Sequence, residues 1–454
     1  MPLESINPAT GRVMQVFEEW TASATDRVIE EVHGSWPAWR DSSFAERAAL
    51  LRKAAEILRL HAGEYAELMA LEMGKPLAQG RAEVEKCAWG CEYFADHSAG
   101  YLADEPAKSD GSRAYVAFRP LGLVLAVMTW NFPFWQVFRC AAPALMAGNV
   151  LVLKHASNVP RCALAIEEVF RKAGFPENTF RTLLIGARSV AGVIENPRVK
   201  SIALTGSDAA GRQVAATSGR MLKKTVLELG GSDPFIVLAD ADLAKAAKVG
   251  ALARCNNAGQ SCIAAKRFLV EDSVYSRFLE LFVREMAALV VGDPLDEVTQ
   301  VGPLARQDLV VDLHGQVTDA VSHGAEVILG GQPLESPGCY YPPTVVTGVK
   351  PGMRAYHEEL FGPVATVMAV RDAEHALTVA NDTPFGLGAS LWTADPAKGA
   401  ALAARIESGA VFVNGMVKSD PRLPFGGVKD SGYGRELAGF GIREFVNVQT
   451  VWIG

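Results

Sequence analysis

The stretch GLVLAVMTWNFPFWQVFRCAAPALMAGNVLVLK, residues 122–154, decides the fold. It has a short apolar run at 123–128, a second at 150–154, and an amphipathic segment from Pro133 between them. Short apolar strands that alternate with helices of about 10–15 residues form βαβ units on a parallel sheet. The stretch therefore predicts a parallel sheet covered by helices.

The same alternation continues along the chain. Apolar strands are predicted at 181–184 and 201–204, with a helix after each. Beyond Glu228 a second series is predicted at 234–238, 267–270 and 326–329. Parallel sheets with such crossovers form the usual framework for dinucleotide binding. The sequence thus predicts an α/β protein with a Rossmann-like cofactor domain and a second α/β domain.

Other segments depart from this alternation. Helical periodicity covers 21–60, 64–73 and 80–99, whereas 114–119 and the apolar tail 445–453 are typical of strands. An unpaired apolar strand is an aggregation hazard. We therefore expect the tail to pair with another chain, or with residues 114–119 of a partner subunit.

Composition excludes several classes of protein. Of the 454 residues, 49% are hydrophobic and 21% charged, which are globular proportions. The net charge of −7 gives no electrostatic footprint for nucleic acid or an anionic membrane. The most apolar run, 121–128, is far shorter than the roughly 20 residues that span a bilayer. The N-terminus has no basic stretch followed by an apolar core, so we expect no secretory signal.

Cysteine usage indicates a reducing compartment. Seven cysteines are too few, and odd in number, for a disulfide-built fold, so we expect a cytoplasmic protein. Cys87 and Cys91 stand four apart on a predicted helix and form either half of a metal site or two buried small residues. No matching Cys or His pair lies nearby, and we predict no metal.

Three residues are candidates for catalysis. Cys262 ends NAGQSC (257–262), a turn of small residues that would expose a thiol, although an inert buried cysteine is the alternative. Glu228 lies in LELGGS (227–232), where flanking leucines would raise its pKa towards that of a general base, unless it is a solvated glutamate at a helix end. Asn131 lies in WNFP (130–133), at the end of a predicted strand, where ligands bind in open sheets.

Two further groups are candidates for binding. Trp135 and Arg139 follow Asn131 at steps of four and so share one helix face. Arg139 is a candidate carboxylate clamp, and an interdomain salt bridge is the alternative. Gly206 and Ser207 begin a strand-to-helix turn that would cradle phosphate through backbone N–H groups.

Together these motifs resemble the aldehyde dehydrogenase superfamily over the whole chain. Within it the chain is most similar to bacterial succinate-semialdehyde dehydrogenases, through NFPFWQVFR (131–139), LKHASN (153–158) and GQSCIAAKRF (259–268). The other matching motifs are NPATG (7–11), LTGSDAAG (204–211), LELGGSDP (227–234), EELFGPV (358–364), NDTPFGL (381–387), NGMVKSDPRLPFGG (414–427) and PFGGVKDSGYGRE (424–436).

The resemblance implies a mechanism for oxidising an aldehyde. Cys262 would attack as thiolate, and Asn131 with the Cys262 N–H would hold the oxyanion. Loss of hydride to the nicotinamide would leave a thioester, which water activated by Glu228 would hydrolyse. The presence of all three groups argues against a non-catalytic binding or structural protein, and Glu228 argues against coenzyme A as the acyl acceptor.

The resemblance also assigns a cofactor site and a substrate site. NADP is preferred over NAD because Ser157 replaces the glutamate common in NAD-preferring members, and Lys154 would attract a 2′-phosphate. An ω-carboxylate would be held by Arg139, Ser261 and Ser419 beside Trp135, with Lys418 and Arg422 as alternative cations. Glutarate semialdehyde and medium-chain or aromatic aldehydes are rival substrates. The cofactor-binding residues implied are Trp130, Lys154, Ser157, Gly206, Ser207, Leu229, Glu359 and Phe361.

The implied architecture is a cofactor domain (1–101 and 121–229), a catalytic domain (230–439) and a small β oligomerisation arm (102–120 and 440–454). The arm would join subunits into a homodimer or a homotetramer.

Overall fold

The computed structural model describes residues 3–454. Residues 1 and 2, which begin the predicted cofactor domain, lie outside this range. Helices in the described chain are α1 (Ala22–Asp41), α2 (Phe44–Leu60), α3 (Ala62–Met73), α4 (Leu77–Tyr101), α5 (Trp135–Met146), α6 (Pro160–Lys172), α7 (Val190–Glu195), α8 (Asp208–Arg220), α9 (Leu243–Cys255), α10 (Asp272–Ala287), α11 (Gln307–Ser322), α12 (Arg354–His357), α13 (Ala373–Asn381), α14 (Pro396–Ala403) and α15 (Ala438–Arg443).

The strands are β1 (Leu3–Asn7), β2 (Arg12–Phe17), β3 (Glu105–Pro106), β4 (Arg113–Pro120), β5 (Leu123–Val127), β6 (Val150–Lys154), β7 (Phe180–Thr182), β8 (Val199–Thr205), β9 (Lys224–Glu228), β10 (Asp233–Val237), β11 (Ala265–Glu271), β12 (Glu326–Leu329), β13 (Thr344–Thr347), β14 (Val364–Val370), β15 (Gly388–Trp392), β16 (Ala410–Val413), β17 (Gly432–Tyr433) and β18 (Val446–Ile453).

The first large sheet contains the strands of residues 122–154, the stretch from which the βαβ unit was predicted. Its strand order is β17-β9-β8-β5-β6-β7, and β5 through β9 are parallel. All five residues of β6 are buried, as expected for a strand covered on both faces. The predicted βαβ unit is therefore confirmed as β5, α5 and β6. The antiparallel edge strand β17 comes from residues 432–433, inside the segment predicted for the catalytic domain.

The second large sheet has the order β12-β13-β14-β11-β10-β15-β16 and is parallel except at β12. Its strands β10 and β15 are wholly buried. The mixed α/β class predicted from the sequence is thus confirmed, and each sheet has its own buried core.

The carboxyl ends of the strands position the candidate residues. Asn131 follows β5, Lys154 ends β6, Gly206 follows β8 and Glu228 ends β9. Because parallel strands present their carboxyl ends at one edge, these four residues meet at the edge where open α/β sheets bind ligands.

The N-terminal region contains a feature that periodicity missed. Residues 3–17 form the antiparallel hairpin β1–β2 before the predicted helices begin. The helix α2 begins at Phe44, with Ser43 as its cap. Ser43 and Glu46 form a reciprocal capping box.

The terminal strand pairs within its own chain. Antiparallel pairing joins β18 to β4 from Val446–Pro120 through Ile453–Arg113, and β3 lies on the other side of β4. The expectation that the tail pairs with another chain was therefore wrong, because β4 of the same chain already provides its ladder. β18 remains an edge strand with Val448 and Trp452 exposed, and the arm remains the predicted contact for a second copy. Among the described helices, none has the length and apolarity needed to cross a membrane.

Candidate active site

A cavity of about 360 Å³ brings together the thiol and the residues predicted to bind substrate. Cys262 lines it together with Trp135, Arg139, Ser261 and Ser419. The step of four along α5 that placed Trp135 and Arg139 on one face therefore agrees with the cavity wall. Much of the remaining wall is apolar, through Phe132, Ile263, Met416, Val417 and Phe425.

Cys262 lies on a backbone segment of unusual conformation between α9 and β11. Asn257, Ala258 and Gly259 have successive φ angles of 55°, 53° and 72°. Residues other than glycine reach this left-handed region at a cost, so surrounding contacts must hold it. The Asn257 N–H donates to Gln79 Oε1 over 2.7 Å, and its side-chain Nδ2 donates to the Asn131 carbonyl over 2.7 Å.

Buried cations fix the carbonyl groups of this segment. Lys266 Nζ donates to the carbonyls of Ser261 and Cys262, each over 2.9 Å. Arg254 Nη2 donates to the Gly259 carbonyl over 2.6 Å. Hydrogen bonds from charged donors are the stronger kind, and here they replace the support that a regular strand or helix would give.

The setting of Cys262 keeps its thiol protonated at rest. Burial raises the pKa of Cys262 to about 12, and the Glu359 carboxylate acts in the same direction, against Lys266 and Arg139. A thiolate is the nucleophilic form. Attack by Cys262 therefore requires a base that removes the proton.

Glu228 is the residue predicted as a general base. Burial raises the pKa of its carboxyl well above the usual range, Glu436 adds to the rise, and Arg139 opposes it. Neither carboxyl oxygen has a hydrogen-bond partner within residues 3–454, although the side chain is 2% exposed. Buried polar atoms without partners are costly, so the structure keeps both oxygens available for a proton or a water molecule.

The segment after Glu228 runs against the nucleophile. A β-carbon at Gly231 would lie 2.5 Å from the Cys262 carbonyl oxygen, and one at Gly230 would lie 2.6 Å from Glu359 Oε2. Glycine at both positions therefore lets the base, the thiol segment and Glu359 approach one another.

The residues predicted to bind phosphate and ribose suit a dinucleotide. Ser207 caps α8, accepting the Ala210 N–H over 3.3 Å, and the free N–H groups of that helix end suit a pyrophosphate. Lys154 is buried, burial lowers its pKa, and it has no ion-pair partner among the described residues. Ser157, half-buried, follows three residues later.

The residues predicted around the nicotinamide also lie close together. The rings of Trp130 and Phe361 meet edge to face with centroids 5.7 Å apart. Glu359 accepts from Lys266 Nζ and from the Gly231 N–H, each over 3.2 Å. The Leu229 N–H donates to the Ser431 carbonyl over 3.0 Å, so its carbonyl oxygen is the atom that remains for a carboxamide.

Comparison with known proteins identifies the family. The sequence pattern of the Aldehyde dehydrogenase family matches residues 1–451. The chain belongs to the aldehyde dehydrogenase family. It is 52% identical to a Synechocystis protein named "Probable succinate-semialdehyde dehydrogenase" for NADP(+), over the full length of both chains. It is 51% identical, again over both full lengths, to the NADP(+) succinate-semialdehyde dehydrogenase 1 of Mycobacterium ulcerans.

A solved structure agrees with this assignment. The succinic semialdehyde dehydrogenase of Streptococcus pyogenes, in complex with NADP+, superimposes with a TM-score of 0.97. The two chains are 39% identical and each is covered to 99%. The aldehyde dehydrogenase fold predicted from the motifs is therefore confirmed.

Asn131 of this aldehyde dehydrogenase is held at both its backbone and its side chain. Its carbonyl accepts from Lys75 Nζ over 2.9 Å as well as from Asn257, and its Nδ2 donates one hydrogen to the Gln260 carbonyl over 3.0 Å. The second amide hydrogen remains for an oxyanion. Within residues 3–454 the Cys262 N–H makes no hydrogen bond, so it is a second available donor.

Four charged residues around the site were not found by sequence reasoning. Lys75 and Glu83 form a buried ion pair, and Glu83 accepts the N–H groups of Phe134 and Trp135 at the start of α5, each over 2.9 Å. Glu436 forms a buried ion pair with Arg139.

The fourth is Lys86, which lines the cavity. The spacing of Glu83 and Lys86 is that of an ordinary exposed helix pair, and it gave no signal. Glu436 is the last residue of the motif at 424–436, but only its contact with Arg139 indicates that it belongs to the site.

Proposed function

We propose that this aldehyde dehydrogenase oxidises succinic semialdehyde to succinate and prefers NADP to NAD. The observation that carries the proposal is one cavity lined by the Cys262 thiol, the Arg139 guanidinium and the Ser419 hydroxyl. An aldehyde with an ω-carboxylate needs a nucleophile and separate anion donors in a single cavity. The names of the Synechocystis and Mycobacterium ulcerans relatives support the same substrate.

In the proposed reaction Cys262 adds to the aldehyde carbon, and Glu228 accepts the thiol proton. The oxyanion that forms is held by the Asn131 side-chain amide and the Cys262 N–H. Removing one donor of this kind costs on the order of 10²–10³ in rate. Lys75 and Asn257 act through the Asn131 carbonyl and are positioning residues.

Bound NADP supplies the hydride acceptor that converts the tetrahedral carbon into a thioester on Cys262. After passing the thiol proton to solvent, Glu228 removes a proton from the water that attacks the thioester, and the carboxylate product leaves as the C–S bond to Cys262 breaks. Because burial raises the pKa of Glu228, hydrolysis accelerates with rising pH until its carboxyl is ionised.

The preference for NADP rests on Lys154 and Ser157. A 2′-phosphate next to Lys154 would gain a charge partner that this buried ammonium otherwise lacks within the described chain. Ser157 brings no negative charge to repel it. Gly206 and Ser207 would hold the pyrophosphate, Glu359 and Phe361 the nicotinamide ribose, and Trp130 and Leu229 the nicotinamide side.

A second candidate substrate class is favoured by the apolar part of the cavity wall. Phe132, Trp135 and Phe425 offer aromatic surface that suits medium-chain or aromatic aldehydes. Glutarate semialdehyde would keep the anion contacts with one more carbon.

Steady-state kinetics with succinic semialdehyde, glutarate semialdehyde, butanal and benzaldehyde, each with NADP and NAD, tests the proposal. A charge-assisted contact contributes about 1.5–3 kcal/mol, so kcat/KM for succinic semialdehyde should exceed that for butanal by roughly 10- to 100-fold. Equal values for the two would refute the substrate. A clear preference for NAD would refute the cofactor.

A further inference from the structure

Lys86 is a cation inside the cavity that the proposed reaction has not yet used. It lies on α4 and lines the cavity together with Cys262, Trp135 and Ser419. Its Nζ donates to Ser419 Oγ over 2.7 Å and lies 4.6 Å from the centroid of the Trp135 ring. The ammonium group is thus held in place by two contacts, neither of which neutralises it.

The other cations near the cavity are neutralised or exposed. Lys75 pairs with Glu83, Arg139 pairs with Glu436, and each of these four side chains is almost fully buried. Arg422 forms two hydrogen bonds with the Asp420 carboxylate, of 2.8 and 2.6 Å.

Lys418 also lines the cavity, but its side chain is exposed to solvent. Lys86 has no carboxylate within 4 Å in residues 3–454. Among the cations that line the cavity in residues 3–454, Lys86 is the one that is neither paired with a carboxylate nor exposed to solvent.

The hydrogen bonds made by Ser419 determine whether its hydroxyl can donate or accept. Ser419 Oγ accepts from Lys86 Nζ and from Trp135 Nε1, the latter over 2.9 Å. A hydroxyl has two acceptor positions and one proton. With both acceptor positions occupied, Ser419 can only donate, and Lys86 keeps two further N–H donors. The pair offers donors and no acceptor, as a carboxylate requires.

We propose that Lys86, acting with Ser419, binds the carboxylate of the substrate and determines the preference for anionic aldehydes. This inference rests on the proposed function and specifies which cation carries it. Arg139 lines the same cavity, but its charge is offset by Glu436, so it contributes shape and hydrogen bonding more than net attraction.

The surroundings of Lys86 are consistent with a site completed by an anion. Burial lowers the pKa of Lys86 to about 8, and the positive charge of Arg139 acts in the same direction. Cys87, Glu83 and Asp420 act in the opposite direction and raise the pKa. A bound carboxylate would again favour the charged form of Lys86.

The test compares Lys86→Gln with Lys248→Gln. The glutamine at 86 can still donate to Ser419, whereas the positive charge and its contact with the Trp135 ring are lost. Lys248 is exposed on α9, and its replacement makes the same change in net charge away from the cavity. KM and kcat are measured with succinic semialdehyde and with butanal.

For Lys86→Gln we expect KM for succinic semialdehyde to rise about 10- to 100-fold, with KM for butanal and both kcat values within about threefold. Lys248→Gln should change neither. Equal effects on the two aldehydes, or no effect on either, would overturn the inference.

Lys86→Arg separates the charge from folding defects, because it retains the positive charge and should recover most of the low KM. A loss as large as that of Lys86→Gln would contradict the role of the charge. If the unsubstituted enzyme does not prefer succinic semialdehyde to butanal, the proposed function itself fails. If the unsubstituted enzyme prefers succinic semialdehyde to butanal and Lys86→Gln keeps that preference, only the role of Lys86 is refuted.

Discussion

Two clusters of the candidate active site differ in how their polar and charged groups are paired. In the reactive cluster (Cys262, Glu228 and Asn131), the Asn131 Oδ1 atom and both Glu228 oxygens are buried without hydrogen-bond partners in the described chain. In the recognition cluster (Lys86, Trp135 and Ser419), the polar groups are linked by hydrogen bonds, but a charge is uncompensated. The proposed catalysis relies on unpaired polar atoms, and the proposed selectivity relies on an unpaired charge.

This difference predicts that the reactive cluster controls kcat whereas the recognition cluster controls KM. A substitution in one cluster that changed both kcat and KM would contradict this division.

The largest effect is expected for Glu228→Gln. The amide cannot accept a proton from water, so thioester hydrolysis should slow by roughly 10²–10⁴. The amide also cannot take the thiol proton of Cys262, so in rapid mixing the burst of up to one NADPH per active site should be slowed as well.

Cys262→Ala is the matched control and should show neither burst nor turnover. A burst at the unsubstituted rate in Glu228→Gln would contradict the role of Glu228 as the base for Cys262 and limit it to the hydrolysis step.

Asn131→Ala should have the next largest effect. The substitution removes the side-chain donor and retains the backbone carbonyl that Lys75 and Asn257 bind. We expect kcat to fall by roughly 10²–10³ while KM for succinic semialdehyde stays nearly constant. A rise in KM without a fall in kcat would move Asn131 from the reactive cluster to substrate binding.

The smallest effect is a dependence of KM on pH. The protonated form of Lys86, with its pKa of about 8, attracts the carboxylate, so raising the pH from 7 to 9 should increase KM for succinic semialdehyde about tenfold. KM for butanal gives the contribution of other titrating groups, including Glu228. A constant ratio of the two KM values over this range would contradict the recognition cluster.

Local sequence patterns predicted where helices and strands form better than they predicted which strands pair. The apolar runs of β5 and β6 and the amphipathic α5 gave the βαβ unit, because strand and helix periodicities are local properties. The β1–β2 hairpin was missed. The partner of β18 was assigned to another subunit, since pairing between residues 113–120 and 446–453 spans more than 300 positions and leaves no local signal.

The same contrast holds within the site. Motifs indicated Cys262, Glu228 and Asn131, because these residues need particular neighbours in sequence. Lys86 and Glu436 depend on contacts across the fold, with Ser419 and Arg139 respectively. Charge balance in a cavity is a property of assembled elements, and no stretch of sequence shows it.

The left-handed turn before Cys262 has a consequence for the biosynthesis of the enzyme. Arg254 binds the carbonyl of Val364 as well as that of Gly259, and Lys266 pairs with Glu359. A nascent chain that has emerged only as far as β11 lacks both distant partners. The turn can therefore acquire its full support only after about a hundred residues beyond Cys262 have been synthesised.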